Sequence, residues 1–204
     1  MDKAKDYRKG CGERMIGILR RMPSRRAVGI IFLLGMLLPS MAAAAVVKES
    51  DVKAAFILNF IKFVEWPVSA FRSPESPIVL VVLGNDPVAD SIASLDGRKV
   101  SGRRVIVRKV PALSALERCH LLFVGASEKT VLAPVLGAVQ RRPVLTVGDF
   151  DGFVGRGGTI GFIRLDNRVG FEINEESARK AGLKINAKLL YLGKNVRGRD
   201  GGER

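Results

Sequence analysis

Six consecutive apolar residues, Ile78-Val79-Leu80-Val81-Val82-Leu83, constrain this chain more than any other stretch. Successive side chains of a strand point to opposite faces, so a strand made only of apolar residues must be covered on both. That favours a parallel sheet between two helical layers. Cys119–Gly125 reads as a second buried strand, and Val144–Val147 as another. Arg104–Val110 alternates, with Val105 and Val107 on one face and Ile106 and Arg108 on the other. Helical signals fall between these runs. Gly84-Asn85-Asp86-Pro87 turns into a short helix with Asp86 at the cap and Pro87 at the first helical position. Pro111–Glu117 reads as a second short helix, and Ser127 as the cap of a third from about Glu128 to Gln140.

The pattern then changes. Thr159–Leu165 and Val169–Ile173 read as a hairpin around Asp166-Asn167-Arg168. Asn174 caps a helix through Lys180, and Gly182 stops it. Leu183–Leu192 is a last apolar stretch, compatible with helix or strand. The expected fold is α/β: a three-layer sandwich with a mostly parallel sheet and an antiparallel hairpin at the edge.

Ahead of the first strand, Ser50–Glu65 reads as a helix with Ser50 at its cap. Ala55, Phe56, Asn59, Phe60 and Phe63 form a stripe at helical spacing. Pro67 ends the helix and pushes Trp66 towards an extended conformation. A core helix accounts for the phenylalanines. It accounts less well for Asn59, a polar group on the stripe, and for Glu65 at a helix end where the dipole disfavours an anion. Phe63, Glu65, Trp66 and Pro67 are the kind of aromatic and charged residues that anchor a partner.

The chain has 204 residues and a formal net charge of +14. That charge does not point to nucleic acid. Residues 1–45 supply +6, and the remaining +8 is scattered in pairs without interleaved aromatics. Residues 1–45 read as a secretory signal peptide: Arg20, Arg21, Arg25 and Arg26, then the apolar run Ala27–Leu38, then Ala43-x-Ala45. Twelve apolar residues fall short of the ~20 that span a bilayer. The mature domain is expected over residues 46–192, located in the periplasm, with a disordered basic tail over 193–204. Of two cysteines, Cys11 leaves with the leader, so Cys119 has no internal partner and reads as a buried thiol.

No catalytic set assembles from the sequence. His120 adjoins Cys119, but neighbouring residues of a strand face opposite ways and form no dyad. Gly155-Arg156-Gly157-Gly158 leads into a strand, whereas a phosphate loop opens a helix. No metal or cofactor set is expected.

Lys53-Ala54-Ala55-Phe56-Ile57-Leu58-Asn59-Phe60-Ile61-Lys62-Phe63-Val64-Glu65-Trp66-Pro67 closely resembles the opening signature of the YfiR family of small periplasmic proteins. The resemblance continues through Val82–Pro87, Cys119–Gly125, Pro143–Asp149, Gly157–Phe162 and Phe171–Asn174. It implies a non-catalytic regulator that binds the periplasmic sensor part of an inner-membrane diguanylate cyclase and restrains cyclic-di-GMP signalling and biofilm formation. Some relatives are regulated through paired cysteines; the lone Cys119 leaves that out here. A homodimer stays open. So does a second class, a periplasmic small-molecule binder with its ligand at the mouth of the parallel sheet near Gly84 and Gly148.

Overall fold

The computed structural model describes residues 48–198 apart from Glu117 and Asn167. The expected leader with Cys11 and residues 199–204 lie outside the described residues. The central strand β2 (Ile78–Leu83) pairs in parallel with β4 (Arg103–Val110) on one side and β5 (Leu121–Val124) on the other. Beyond β5 come β6 (Leu145–Gly148), parallel, and β7 (Ile160–Leu165), also parallel. β8 (Arg168–Asn174) returns antiparallel to β7 as a hairpin, with Leu165 opposite Arg168 and Asp166 at φ 51°. The expected mixed sheet is therefore present, mostly parallel with an antiparallel hairpin.

Two short strands extend it. β3 (Lys99–Val100) pairs antiparallel with β4, and β10 (Val196–Arg197) lies parallel against β8. The hairpin is thus one strand short of the edge, and the tail expected over 193–204 is ordered through residue 198. The cause is backbone pairing. Lys194 N–H donates to Phe171 O, and Ile173 N–H donates to Asn195 O.

Strand alternation divides the core into two layers. Leu80 and Val82 face the side covered by α1 (Glu49–Phe63) and α2 (Pro87–Ala93). Val81 and Leu83 face the opposite cluster, which contains Leu132, Val135 and Val139 of α3 (Leu132–Val139). α4 (Glu175–Lys180) starts as expected: Asn174 Oδ1 accepts Ser177 N–H at 2.9 Å. It ends at Gly182, whose φ is 72°.

Four local expectations are corrected. α1 begins at Glu49 after Lys48, with no side-chain cap, rather than at Ser50. Its buried face is Ala54, Ile57, Phe60 and Ile61, while Ala55 and Asn59 are exposed. The helix expected over 111–117 is a 3-10 turn, Leu113–Ala115. The helix expected from Glu128 is 3-10 over Ala126–Val131 and α-helical only from Leu132. Pro134 accounts for that delay, because it has no N–H to give to an earlier turn and is tolerated in the first turn of a helix.

Candidate functional site

Two surfaces lie at opposite ends of α1. The first follows its C-terminus. The helix does not run on to Glu65. Val64–Glu65 leaves it as strand β1 and pairs antiparallel with β9 (Lys184–Ile185), Val64 against Ile185 and Glu65 against Lys184. Phe63 O accepts Asn186 N–H at the same junction.

The four residues expected to anchor a partner divide here. Glu65 is exposed. Phe63, Trp66 and Pro67 are half-buried, and Phe63 and Trp66 pack against the α1 side of the core. The indole N–H of Trp66 donates to His120 O at 3.1 Å, which satisfies its only polar group. Val68, which the sequence did not single out, is 90% exposed.

The sequence also missed the part His120 plays. Its Nδ1 accepts Val79 N–H at 3.0 Å, so the neutral ring carries its proton on Nε2 and donates it to Ala70 O at 3.1 Å. Phe71 stacks on the imidazole with centroids 4.6 Å apart. Arg103 lies 3.8 Å above the other ring of that stack, Phe71, and donates to Ser73 O at 3.2 Å and Ser76 O at 2.6 Å. Burial holds the His120 pKa below its ordinary value, the Ala70 hydrogen bond opposes that, and the Arg103 charge adds to it. His120 and Arg103 together pin the segment after Trp66 to the sheet. The lone histidine beside a buried strand was the available signal, but its partners are backbone atoms that no sequence pattern encodes.

The second surface is a cleft of about 840 Å³ near the N-terminus of α1, where β6 ends at Gly148-Asp149. Val52, Phe56, Phe150 and Phe162 supply apolar walls. Lys53 Nζ bonds Asp149 at 2.7 and 3.0 Å and Glu49 at 2.7 Å, and Arg164 reaches Glu49 at 2.9 Å. The Lys53 and Asp149 side chains are only 13% and 14% exposed. Burial works against the Lys53 charge, but the hydrogen bonds its ammonium group donates to Asp149 and Glu49 outweigh it and raise the pKa. Lys53 and Arg164 hold Glu49 below its ordinary range. The i,i+4 spacing of Glu49 and Lys53 was legible in the sequence; the carboxylate of Asp149, 96 residues away, was not.

The two glycines expected at a ligand mouth serve packing. After β2 the Asp86 carboxylate turns away from its own helix and accepts from Ser127 N–H at 3.4 Å and Ser127 Oγ–H at 3.2 Å. Gly84 admits this closure, and any side chain on Gly125 would meet the Asp86 carboxylate. Gly148 and Gly158 both abut the Phe153 ring. The crevice between β2 and β5 is therefore filled by the chain itself, and the open space starts at Asp149. Cys119 is buried, and burial pushes its thiol up to about 11 against an opposing influence of Arg142. Among the described residues, no group of three or more His, Cys, Asp or Glu could hold a metal ion. No helix among them is long and apolar enough to cross a membrane.

Fold and surfaces together define a three-layer α/β domain in which Asp86 and Ser127 fill the crevice at the ends of β2 and β5. The model of the YfiR/HmsC-like family matches residues 50–194, and the chain belongs to that family. No curated protein matches it. Among solved structures it is similar to a conserved domain protein from Vibrio cholerae O1 biovar eltor str. N16961, with 10% identity and a TM-score of 0.49. That alignment covers 72% of this chain and 60% of the other.

Proposed function

We propose that the protein is a periplasmic regulator that binds the periplasmic sensor part of an inner-membrane diguanylate cyclase and holds it inactive, lowering cyclic-di-GMP and biofilm formation. Family membership supports the class. The surface rests on one observation: Glu65 and Val68 stand in solvent on a segment whose flanks His120 and Arg103 fix to the sheet. A pre-ordered segment loses little conformational freedom on binding, which is how an interface anchor gains affinity. Phe63, Trp66 and Pro67 shape this surface from beneath, and Glu65 and Val68 touch the partner. Repression then follows from binding one of the cyclase's two states better than the other.

The test is capture of the cyclase by Glu65→Ala and Val68→Ser proteins, beside thermal melting. Both positions are exposed, so stability changes stay within ~0.5 kcal/mol. Capture and repression fall by about tenfold or more if these are interface anchors. Normal capture by both variants refutes the placement.

A second reading, a small-molecule binder, is favoured by the cleft beside Asp149. It predicts ligand-dependent melting shifts without the cyclase.

A further inference from the structure

From Ser177 to Gly198 the chain carries Arg179, Lys180, Lys184, Lys188, Lys194 and Arg197 and no acidic residue. In the middle of this run lies the short helix α5 (Ala187–Leu192). Leu189 is buried and seats the helix on the core, while Leu190 is half-buried. That leaves Tyr191 86% and Leu192 60% exposed, two of the largest apolar side chains in solvent. Lys188 precedes them by three and four residues, so it shares their side of the helix. Lys194 is exposed two residues further on.

Not all of these cations are free. Glu176 meets Lys180 at 2.6 Å, Arg179 donates to Gly198 O at 3.5 Å, and Lys184 faces Glu65 across the β1–β9 pair. The backbone N–H groups of Lys188 and Lys194 are bonded, but their ammonium groups meet no partner among the described residues. We infer that the α5 end of the domain, through Tyr191, Leu192, Lys188 and Lys194, docks on an anionic lipid bilayer.

The chemistry favours lipid over protein. A protein anchor belongs to an apolar patch, as Glu65 and Val68 do beside half-buried Phe63, Trp66 and Pro67, whereas Tyr191 and Leu192 stand out among exposed lysines. An aromatic ring and a leucine flanked by long-stemmed lysines suit the boundary between headgroups and acyl chains. There the apolar groups leave water while the ammonium groups stay among phosphates. The run without acids supplies charge complementarity to an anionic leaflet, which any carboxylate in it would weaken. This inference does not depend on the identity of the protein partner, and it places the regulator at the surface where a membrane-embedded partner sits.

The experiment is vesicle co-sedimentation of the full-length gene product recovered in mature form. Phosphatidylethanolamine vesicles with about 30% phosphatidylglycerol are compared with pure phosphatidylcholine, and salt is varied from about 0.05 to about 0.5 M. The expected result is retention on the anionic vesicles that weakens with salt. Each lysine at such a surface contributes about fivefold, so Lys188→Gln with Lys194→Gln weakens retention roughly 25-fold. Tyr191→Ser with Leu192→Ser weakens it by about tenfold or more. Arg72→Gln with Lys99→Gln removes the same charge elsewhere and leaves retention within about twofold, which separates the patch from net charge. All positions are exposed, and unchanged melting verifies folding. Equal retention on phosphatidylcholine overturns the inference, as does an equal loss in the Arg72/Lys99 control. So does unchanged vesicle binding by the Tyr191/Leu192 variant while it loses capture of the cyclase's soluble sensor domain, which would make this a protein-binding surface. Loss of vesicle binding with capture intact leaves the proposed function standing, so the two readings fail separately.

Discussion

Phe60→Ala offers the sharpest test of how α1 is seated. The ring is fully buried, 5.0 Å from Phe171, 5.7 Å from Phe162 and 6.1 Å from Phe56 between centroids. Truncation removes about 1.5–3 kcal/mol of apolar transfer. It also leaves a cavity among three other rings that cannot close fully, and the two effects together bring the loss to about 3–5 kcal/mol. For a domain of this size each kcal/mol moves the melting temperature by about 2–4 °C, so the variant melts roughly 6–20 °C below wild type. Asn59→Ala, one residue away but exposed, stays within ~0.5 kcal/mol of wild type. The assay is circular dichroism melting with urea titration for both proteins. A drop of less than about 3 °C for Phe60→Ala, or an equal drop for Asn59→Ala, refutes the assigned face of the helix.

Three further outcomes follow from the buried polar groups. The His120 pKa is depressed in the fold, so its contribution is complete above the ordinary histidine value of 6.5 and is lost as pH falls through the depressed value. Melting temperature measured from pH 7 downward declines for that reason, and His120→Asn, whose amide oxygen can accept Val79 N–H, flattens the slope. Lys53→Met leaves the Asp149 carboxylate mostly buried without its cation; the cost is up to about 3 kcal/mol in thermal melts, below the range for fully buried pairs because the cleft admits water. Cys119, buried and raised to about 11, resists a thiol reagent in native protein at neutral pH and reacts only with denaturant present, which spectrophotometric thiol titration measures.

The sheet was legible because its constraint is local. Ile78–Leu83 and Leu121–Val124 are so uniformly apolar that only coverage on both faces accommodates them, and apart from half-buried Val79 both are buried. The hairpin and the Asn174 cap were legible for the same reason, since turn and cap chemistry lie within a few residues. What failed depends on distant partners. The aromatic side chains of Phe56 and Phe63 drew the expected stripe towards Ala55 and Asn59, whereas the sheet beneath accepts Ala54, Ile57 and Ile61. Glu65 leaves the helix because β9 is there to pair with it, 119 residues further on. β3 and β10 are two-residue strands held by backbone bonds, which composition does not reveal. Of the candidate site, Glu65 is exposed, Trp66 turns its indole N–H inward to His120 O, and the His120–Phe71–Arg103 stack had no signature to find.

The packing of α1 bears on the order in which the protein is made. This helix is the first element of the domain, yet the rings that cover Phe60 belong to β7 and β8, more than 100 residues later. A chain emerging N-terminus first, from a ribosome or through a translocation pore, presents α1 long before Phe162 and Phe171 arrive. Nor is the sheet complete before then, because its edge strand β10 follows β8 in the chain. Such late, non-local closure slows folding and leaves apolar surface open to association meanwhile. The apolar face of α1 therefore stays uncovered until residues 160–174 are delivered, and slowing that delivery lengthens the exposure.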